Sequence, residues 1–422
     1  MSRLFTSPDF AALLDYLYGL RRLGIKVGLE HTRRLLRRCG NPHERFPSLH
    51  IAGTNGKGST AAMLASILQA HGLKVGLYTS PHLLRFNERI RVNGLSIDDE
   101  TITNFVEHYR PHIDRIEATF FETTTALAFT YFAQQEVDVA VVETGLGGRL
   151  DSTNVLTPRV VVITRIHHDH RELLGSDLTS IAKEKAGIMK PGVPVVWLDQ
   201  MHYVNHTLTS LATETNTPSI PVSPQKLNEC TIEKTGTSFS WKGEKYWIPL
   251  LGYHQVENAA LACEAAHQFD ADLPSQTIRL GLRRVQWPGR LQHLETNYPL
   301  YYDVGHNANG IEQATQTLAQ LYGAKPWGLM ALKGDKELEL IAPVLSKRLA
   351  GLAVTSVPDT DLLPAHQLWE RLKRQGLTAT PFETFADSVA WLKSQLSEDT
   401  PGLIFGSHYL AETIFYHFSF FL

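Results

Sequence analysis

Cysteine is scarce in this chain of 422 residues: there are three, Cys39, Cys230 and Cys263, odd in number and far from any CxxC spacing. That excludes a disulfide framework, offers no thiolate zinc site and fits a reducing compartment. An excess of one charge is also missing, with 40 Lys+Arg against 43 Asp+Glu for a net charge of −3. No global positive field exists to hold nucleic acid or an anionic membrane, so any phosphate binding has to be local. No apolar run approaches the ~18–20 residues that span a bilayer. The start, Met1-Ser2-Arg3-Leu4-Phe5 with Pro8 and Asp9 close behind, lacks the apolar stretch of a secretory signal. The expected location is the cytoplasm.

What is present is ordinary globular usage, 43% hydrophobic and 20% charged with 30 Gly and 21 Pro. At roughly 100–200 residues per domain the length makes two or three domains. Helical spacing from Leu13 to Leu36, broken by Gly19, Gly24 and Gly28, predicts two or three short helices. Arg33, Arg34, Arg37 and Arg38 read as a solvated face of one of them. After Pro47 come apolar runs at Leu49 to Ala52, Lys74 to Tyr78, Val137 to Val142, Val160 to Thr164 and Val193 to Trp197. Such runs alternating with helical stretches predict βαβ units and a mainly parallel sheet.

Thr231 to Ile248 alternates like a small antiparallel β insertion, and helices are expected over Val256 to Phe269 and Gln276 to Val285. Trp287-Pro288-Gly289-Arg290 then breaks the pattern before strand-like runs at Leu300 to Asp303, Trp327 to Leu332, Leu352 to Val357 and Leu403 to Phe405. The fold class is therefore α/β, with a mainly parallel first domain at 1–287 and a smaller α/β domain, Rossmann-like in its βα alternation, at 288–422. The apolar end, Phe415 to Leu422, is expected to pack on that second sheet.

The strongest local signal is Gly53-Thr54-Asn55-Gly56-Lys57-Gly58-Ser59-Thr60, placed after a predicted strand and opening a helix that runs to about Ala70. Glycines let backbone N–H groups turn inward, the helix N-terminus favours an anion, Lys57 adds a charge, and a hydroxyl can reach Mg²⁺. Gly58 intrudes between Lys57 and Ser59, a departure from the generic G-x-x-x-x-G-K-[ST] loop. Val137 to Glu143 reads as a buried strand ending in a carboxylate, followed by Thr144-Gly145-Leu146-Gly147-Gly148-Arg149. Where open α/β sheets bind ligands, Glu143 is well placed to hold magnesium beside phosphates. His167-His168-Asp169-His170 has histidine spacing that suggests zinc, but the cysteine-free setting and nearby phosphate cradle favour a magnesium–nucleotide site with one ligating histidine.

These motifs, together with Gly24 to Glu30, Thr79-Ser80-Pro81-His82-Leu83, Glu143 to Asp151, Glu184 to Ile188 and Asp303-Val304-Gly305-His306-Asn307, resemble the bacterial folylpolyglutamate synthase/dihydrofolate synthase family, a branch of the Mur ligases. The resemblance covers nearly the whole chain, and the loop with Gly58 is the form that family uses. It implies ATP-dependent ligation of L-glutamate to dihydropteroate, to folyl-(poly)glutamate, or to both, through an acyl phosphate, by a monomer. It assigns one Mg²⁺ to Ser80 and Glu143, with Ser59 able to add its hydroxyl. A second Mg²⁺ goes to His170 and to Lys185 carrying a CO₂-derived carbamate. Residues 54–60, Asn258, Arg290, Asp303 and His306 are implied for the nucleotide, and Lys57, His170 and Lys185 for catalysis. The pterin is expected against Thr119, Phe121, Asp151 and Ser152, with a core role for Phe121 equally open. Asp335, Lys336, Ser407 and His408 are expected near the incoming glutamate. A cell-wall ligase is disfavoured because only about fifty residues precede the phosphate loop, where a nucleotide-sugar domain would be needed. A nucleotide switch protein would not need His170, Lys185 or the second domain.

Overall fold

The computed structural model describes residues 7–23, 28–295, 297–358 and 360–420. Residues 1–5, the Gly24–Val27 part of the first motif and the last two residues of the apolar end lie outside them. The first sheet comprises β1 (Ser48–Ala52), β2 (Val75–Tyr78), β3 (Ile90–Val92), β4 (Leu95–Ser96), β5 (Val139–Glu143), β6 (Val160–Ile163), β7 (Val195–Leu198) and β8 (Ser219–Val222), in the order β4-β3-β2-β5-β1-β6-β7-β8. β3 and β4 are antiparallel and the other pairings parallel. The central strands β1, β5 and β6 are buried at every residue, which is why they read as unbroken apolar runs instead of alternating ones.

Pairing of Ile51 with Glu143, Ala52 with Ile163 and Tyr78 with Val142 levels the C-terminal ends of β1, β5, β6 and β2. The loops that leave those ends must therefore sit side by side. Helix Lys57–Ala70 follows β1, is buried over most of its length, and is covered by helices Tyr253–Phe269 and Ser275–Arg284. A three-stranded antiparallel sheet of β9 (Asn228–Glu233), β10 (Gly236–Trp241) and β11 (Glu244–Ile248) matches the expected insertion. It is more than a surface excursion, because Phe239, Trp241, Tyr246 and Ile248 join the core around that helix group.

The second lobe is built on β12 (Gln292–His293), β13 (Leu300–Asp303), β14 (Trp327–Met330), β15 (Gly351–Val354), β16 (Thr380–Pro381) and β17 (Gly402–Phe405), ordered β12-β13-β17-β14-β15-β16. Only β12 runs antiparallel to its neighbour. Phe405 pairs with both Asp303 and Met330, so the segments carrying His306, Lys333–Lys336 and Ser407–His408 also leave one edge together. Phe415 is buried against this sheet's core, as expected for the apolar end. No helix of the described residues is long and apolar enough to cross a membrane.

Candidate active site

The two loop edges face each other across a cavity of about 230 Å³. From the first lobe Gly53, Thr54 and Lys57 of the phosphate loop, Ser80, the Gly145–Gly147 turn, His170 and Lys185 line it. From the second come His306, Asp335, Lys336, Ser407 and His408. Ten of the residues singled out in the sequence thus meet in one place, although up to about 350 positions separate them in the chain.

Lys57 opens its helix, and its Nζ donates to Thr54 O at 3.3 Å while standing 3.8 Å from Glu143 Oε1. Glu143, at the end of β5, is buried just behind the wall, and its other oxygen accepts the Ser80 backbone N–H at 3.0 Å. Burial pushes the Glu143 carboxyl above the usual carboxylate range, against the pull of Lys57 and the Ser80 N–H. Gly58 is where the Trp287 indole packs on the first turn of the helix, leaving no room for a side chain. That contact gives the additional glycine of the loop a steric cause.

Lys185 stands on helix Leu178–Ala186, capped by Asp177, and is 4% exposed. Its Nζ donates to Gly53 O at 2.7 Å. Burial first, and then the charge of Lys57, bring its pKa down to about 7, so a substantial fraction is neutral amine near neutral pH. His170 follows β6 with φ of 52°, which turns its ring into the cavity mouth. Burial lowers its pKa to about 4, helped by Lys336, His306 and Lys57 and opposed by Asp169. A neutral imidazole is the form that can ligate a metal.

The sequence passed over Asp169 as a site residue, and the structure makes it a hub. Its carboxylate takes Lys336 Nζ at 3.1 Å, His306 Nε2 at 3.6 Å and His170 Nε2 at 3.8 Å. Although burial opposes it, these partners hold the carboxyl well below the usual carboxylate range. Lys336 and Asp169 are only 10% and 14% exposed, so this bridge between the lobes is far less screened than a surface pair. Arg171 and Glu337 add a second one at 3.1 Å. The one available signal was a charged residue held inside the His167–His170 turn.

The Mur ligase middle domain family matches residues 51–266. The dihydrofolate synthase/folylpolyglutamate synthase of Bacillus subtilis is 39% identical over 328 residues, covering 73% of this chain and 76% of its own. Among solved structures, a Mycobacterium tuberculosis folylpolyglutamate synthase complexed with ADP superposes with a TM-score of 0.88 at 29% identity, covering 98% of this chain and 99% of that one. A folylpolyglutamate synthase complex with AMPPCP and folate gives a TM-score of 0.83 at 32% identity, over 96% and 98%. This chain is a Mur ligase of the folylpolyglutamate synthase/dihydrofolate synthase family.

In this synthase several of the expected residues stand outside the cavity. Ser59 and Thr60 are buried in the first helical turn, and Asn258 donates to Gln255 Oε1 at 3.1 Å while packing against Gly56. Asn55 turns its amide to Asn307 and Asn309 of the second lobe. Asp303 accepts Gly305 N at 2.7 Å and Leu291 N at 3.0 Å, fixing the turn into His306 and the backbone after Arg290. The Arg290 guanidinium donates to its neighbour Gly289 O, and its charge partly opposes the burial that raises the carboxyls of Asp303 and Glu143.

Around the expected pterin position, Thr119 caps helix Phe120–Gln134 in a reciprocal box with Glu122. Phe121 is half-buried, stacks on Tyr78 at 6.0 Å, and lies against Gly145, where a Cβ would strike the ring. Asp151 is buried with its oxygens on Leu146 N, Thr153 N and Thr153 Oγ1. Ser152 begins the short helical turn that follows. Among the described residues no group of three His, Cys, Asp or Glu side chains is gathered for a metal.

Proposed function

We propose that this synthase joins L-glutamate to dihydropteroate, to folyl-(poly)glutamate, or to both, at the expense of ATP, releasing ADP and phosphate. The observation that carries the reading is the single cavity in which the phosphate-loop lysine, a neutral-prone buried lysine and the cationic edge of the second lobe converge. The division at 1–287 and 288–422 describes two lobes working on one substrate set, with a monomer as the working unit. A requirement for ATP and folate fits the cytoplasm.

The chemistry asks the protein for positioning and charge neutralisation. A folate carboxylate oxygen attacks the γ-phosphorus, ADP leaves with the bridging oxygen, and the glutamate amine then displaces phosphate from the acyl carbon. Lys57 and the N–H groups from Gly56 to Ser59 take the phosphate oxygens, while Asn258 holds the base. Arg290, Asp303 and His306 complete the nucleotide's surroundings from the second lobe. Phe121 stacks on the pterin, with Thr119, Asp151 and Ser152 shaping the wall behind it. Lys336, Ser407, His408 and Asp335 surround the incoming zwitterion, which needs both signs of charge.

The donor set suits magnesium, which binds through one or two protein oxygens plus substrate phosphates and water rather than through a full protein cage. Ser80 and Glu143 would hold one ion, with Ser59 behind them; His170 and a carbamylated Lys185 would hold the other. When bound, Mg²⁺ neutralises phosphate charge. A carbamate needs a neutral amine to form, which the depressed Lys185 supplies, and it keeps an N–H for Gly53 O. The test is an assay with dihydropteroate and with tetrahydrofolate, each with ATP, Mg²⁺ and L-glutamate. ADP release that requires the pterin substrate and glutamate together supports ligation; release indifferent to both points to a nucleotide switch.

A further inference from the structure

We propose that Asn55 and Asn307 are a positioning pair that sets the second lobe against the phosphate loop for the transfer step, an inference that rests on the ligase reading above. The two residues are 252 positions apart and meet reciprocally. Asn307 Nδ2 donates to Asn55 Oδ1 at 2.9 Å, and Asn55 Nδ2 donates to Asn307 Oδ1 at 3.2 Å and to Asn309 Oδ1 at 2.9 Å. In this orientation each amide's donor finds the other's acceptor.

Both ends are anchored. Thr54 N and Asn55 N donate to Arg165 O at 2.9 and 3.2 Å, which fixes the loop to the segment after β6. Asn307 caps helix Ala308–Tyr322 by accepting Gly310 N at 2.9 Å, and it is 7% exposed. Asn55 lies two residues before Lys57, and Asn307 lies one residue after His306, so the pair ties together the two rims of the cavity. The ion pairs Lys336–Asp169 and Arg171–Glu337 also cross between the lobes, but a charge pair tolerates sliding. A doubly hydrogen-bonded amide pair fixes direction as well as distance.

The consequence concerns the acyl phosphate. If the rims part, water can add to the acyl carbon, phosphate leaves with the C–O electron pair, and the starting carboxylate is regenerated. ATP is then spent with no amide formed. Asn55 serves here as a lobe-setting residue, and its side chain is turned away from the nucleotide role that its place in the loop suggested.

Three variants test this: Asn55→Ala, Asn307→Ser, whose hydroxyl can still cap the helix, and the double replacement. ADP and amide product are counted in parallel over a range of glutamate and ATP concentrations. The expected result is a product kcat lower by about 10- to 100-fold, an ATP KM changed by less than about twofold, and more than one ADP per amide. The double variant should be no worse than the more damaged single one, because both remove the same contact. A raised ATP KM with one ADP per amide, additive losses, or an unchanged kcat would each overturn the pairing. Failure of the unmutated protein to couple ADP release to glutamate would instead remove the ligase reading beneath it.

Discussion

Lys185 Nζ donates a 2.7 Å hydrogen bond to the carbonyl oxygen of Gly53, tying helix Leu178–Ala186 to the residue that leaves β1 for the phosphate loop. An amine buried at that point is costly as a cation, and the carbamate proposed for it would make it an anionic ligand. Replacing Lys185 with Ala should lower ligation by about 10³-fold. Added formate or acetate should recover part of the loss by occupying the space of the proposed carbamate. Steady-state rates with and without the added carboxylate check this, and a wild-type rate in Lys185→Ala would end the carbamate assignment.

The same lysine sets a pH dependence of stability. Its pKa is about 7 in the folded protein and ~10.4 in an unfolded chain. Between those values the unfolded chain binds a proton that the folded one does not, so the contribution to stability is present above about pH 10 and is lost as pH falls toward 7, at roughly 1.4 kcal/mol per unit. Lys185→Met removes this slope. Urea midpoints of the two proteins in bicarbonate-free buffer should diverge as pH falls from 10 to 7, in favour of the variant. A difference that stays constant over that range would contradict the shift.

Gly145 carries the Phe121 ring where any Cβ would be, and a methyl there must displace it. For Gly145→Ala the KM for the pterin substrate should rise by about tenfold with the ATP KM little changed, since a lost stacking surface costs of order 1 kcal/mol. Initial rates with either substrate varied decide the matter. Equal KM values in the variant and the wild type would place the pterin elsewhere.

Asp151 satisfies three donors with two oxygens. An amide at this position offers one acceptor oxygen and turns N–H toward a donor, leaving a buried group unpaired at a cost of about 1–3 kcal/mol. Asp151→Asn should melt several degrees lower and raise the pterin KM through the loosened 145–151 turn. An unaltered melting temperature would show that the turn is held by other contacts.

The architecture was legible wherever burial was complete. Val160–Ile163 and residues 139–142 are apolar because they lie in mid-sheet, and the glycine-rich turns after β1 and β5 are where parallel topology puts a ligand. Short edge elements were not legible: β3, β4 and β16 have two or three residues, and β8 includes Pro221 and exposed positions. Strand ends drifted for local reasons, as at Val193, whose N–H closes a turn onto Lys190 O before β7 begins. The site's individual members were visible in motifs. Their partners were not, because Asp169 meeting Lys336, or Asn55 meeting Asn307, depends on how two sheets face each other, and no periodicity in the chain encodes that.

The most direct measurement of the central claim follows one oxygen atom. The pterin substrate is prepared with ¹⁸O in its reacting carboxylate and turned over with ATP, Mg²⁺ and L-glutamate, and the released inorganic phosphate is analysed by mass spectrometry. Attack of that carboxylate on the γ-phosphorus followed by amine displacement delivers one labelled oxygen to each phosphate. Phosphate that carries no label, with its new oxygen drawn from water, would contradict the account.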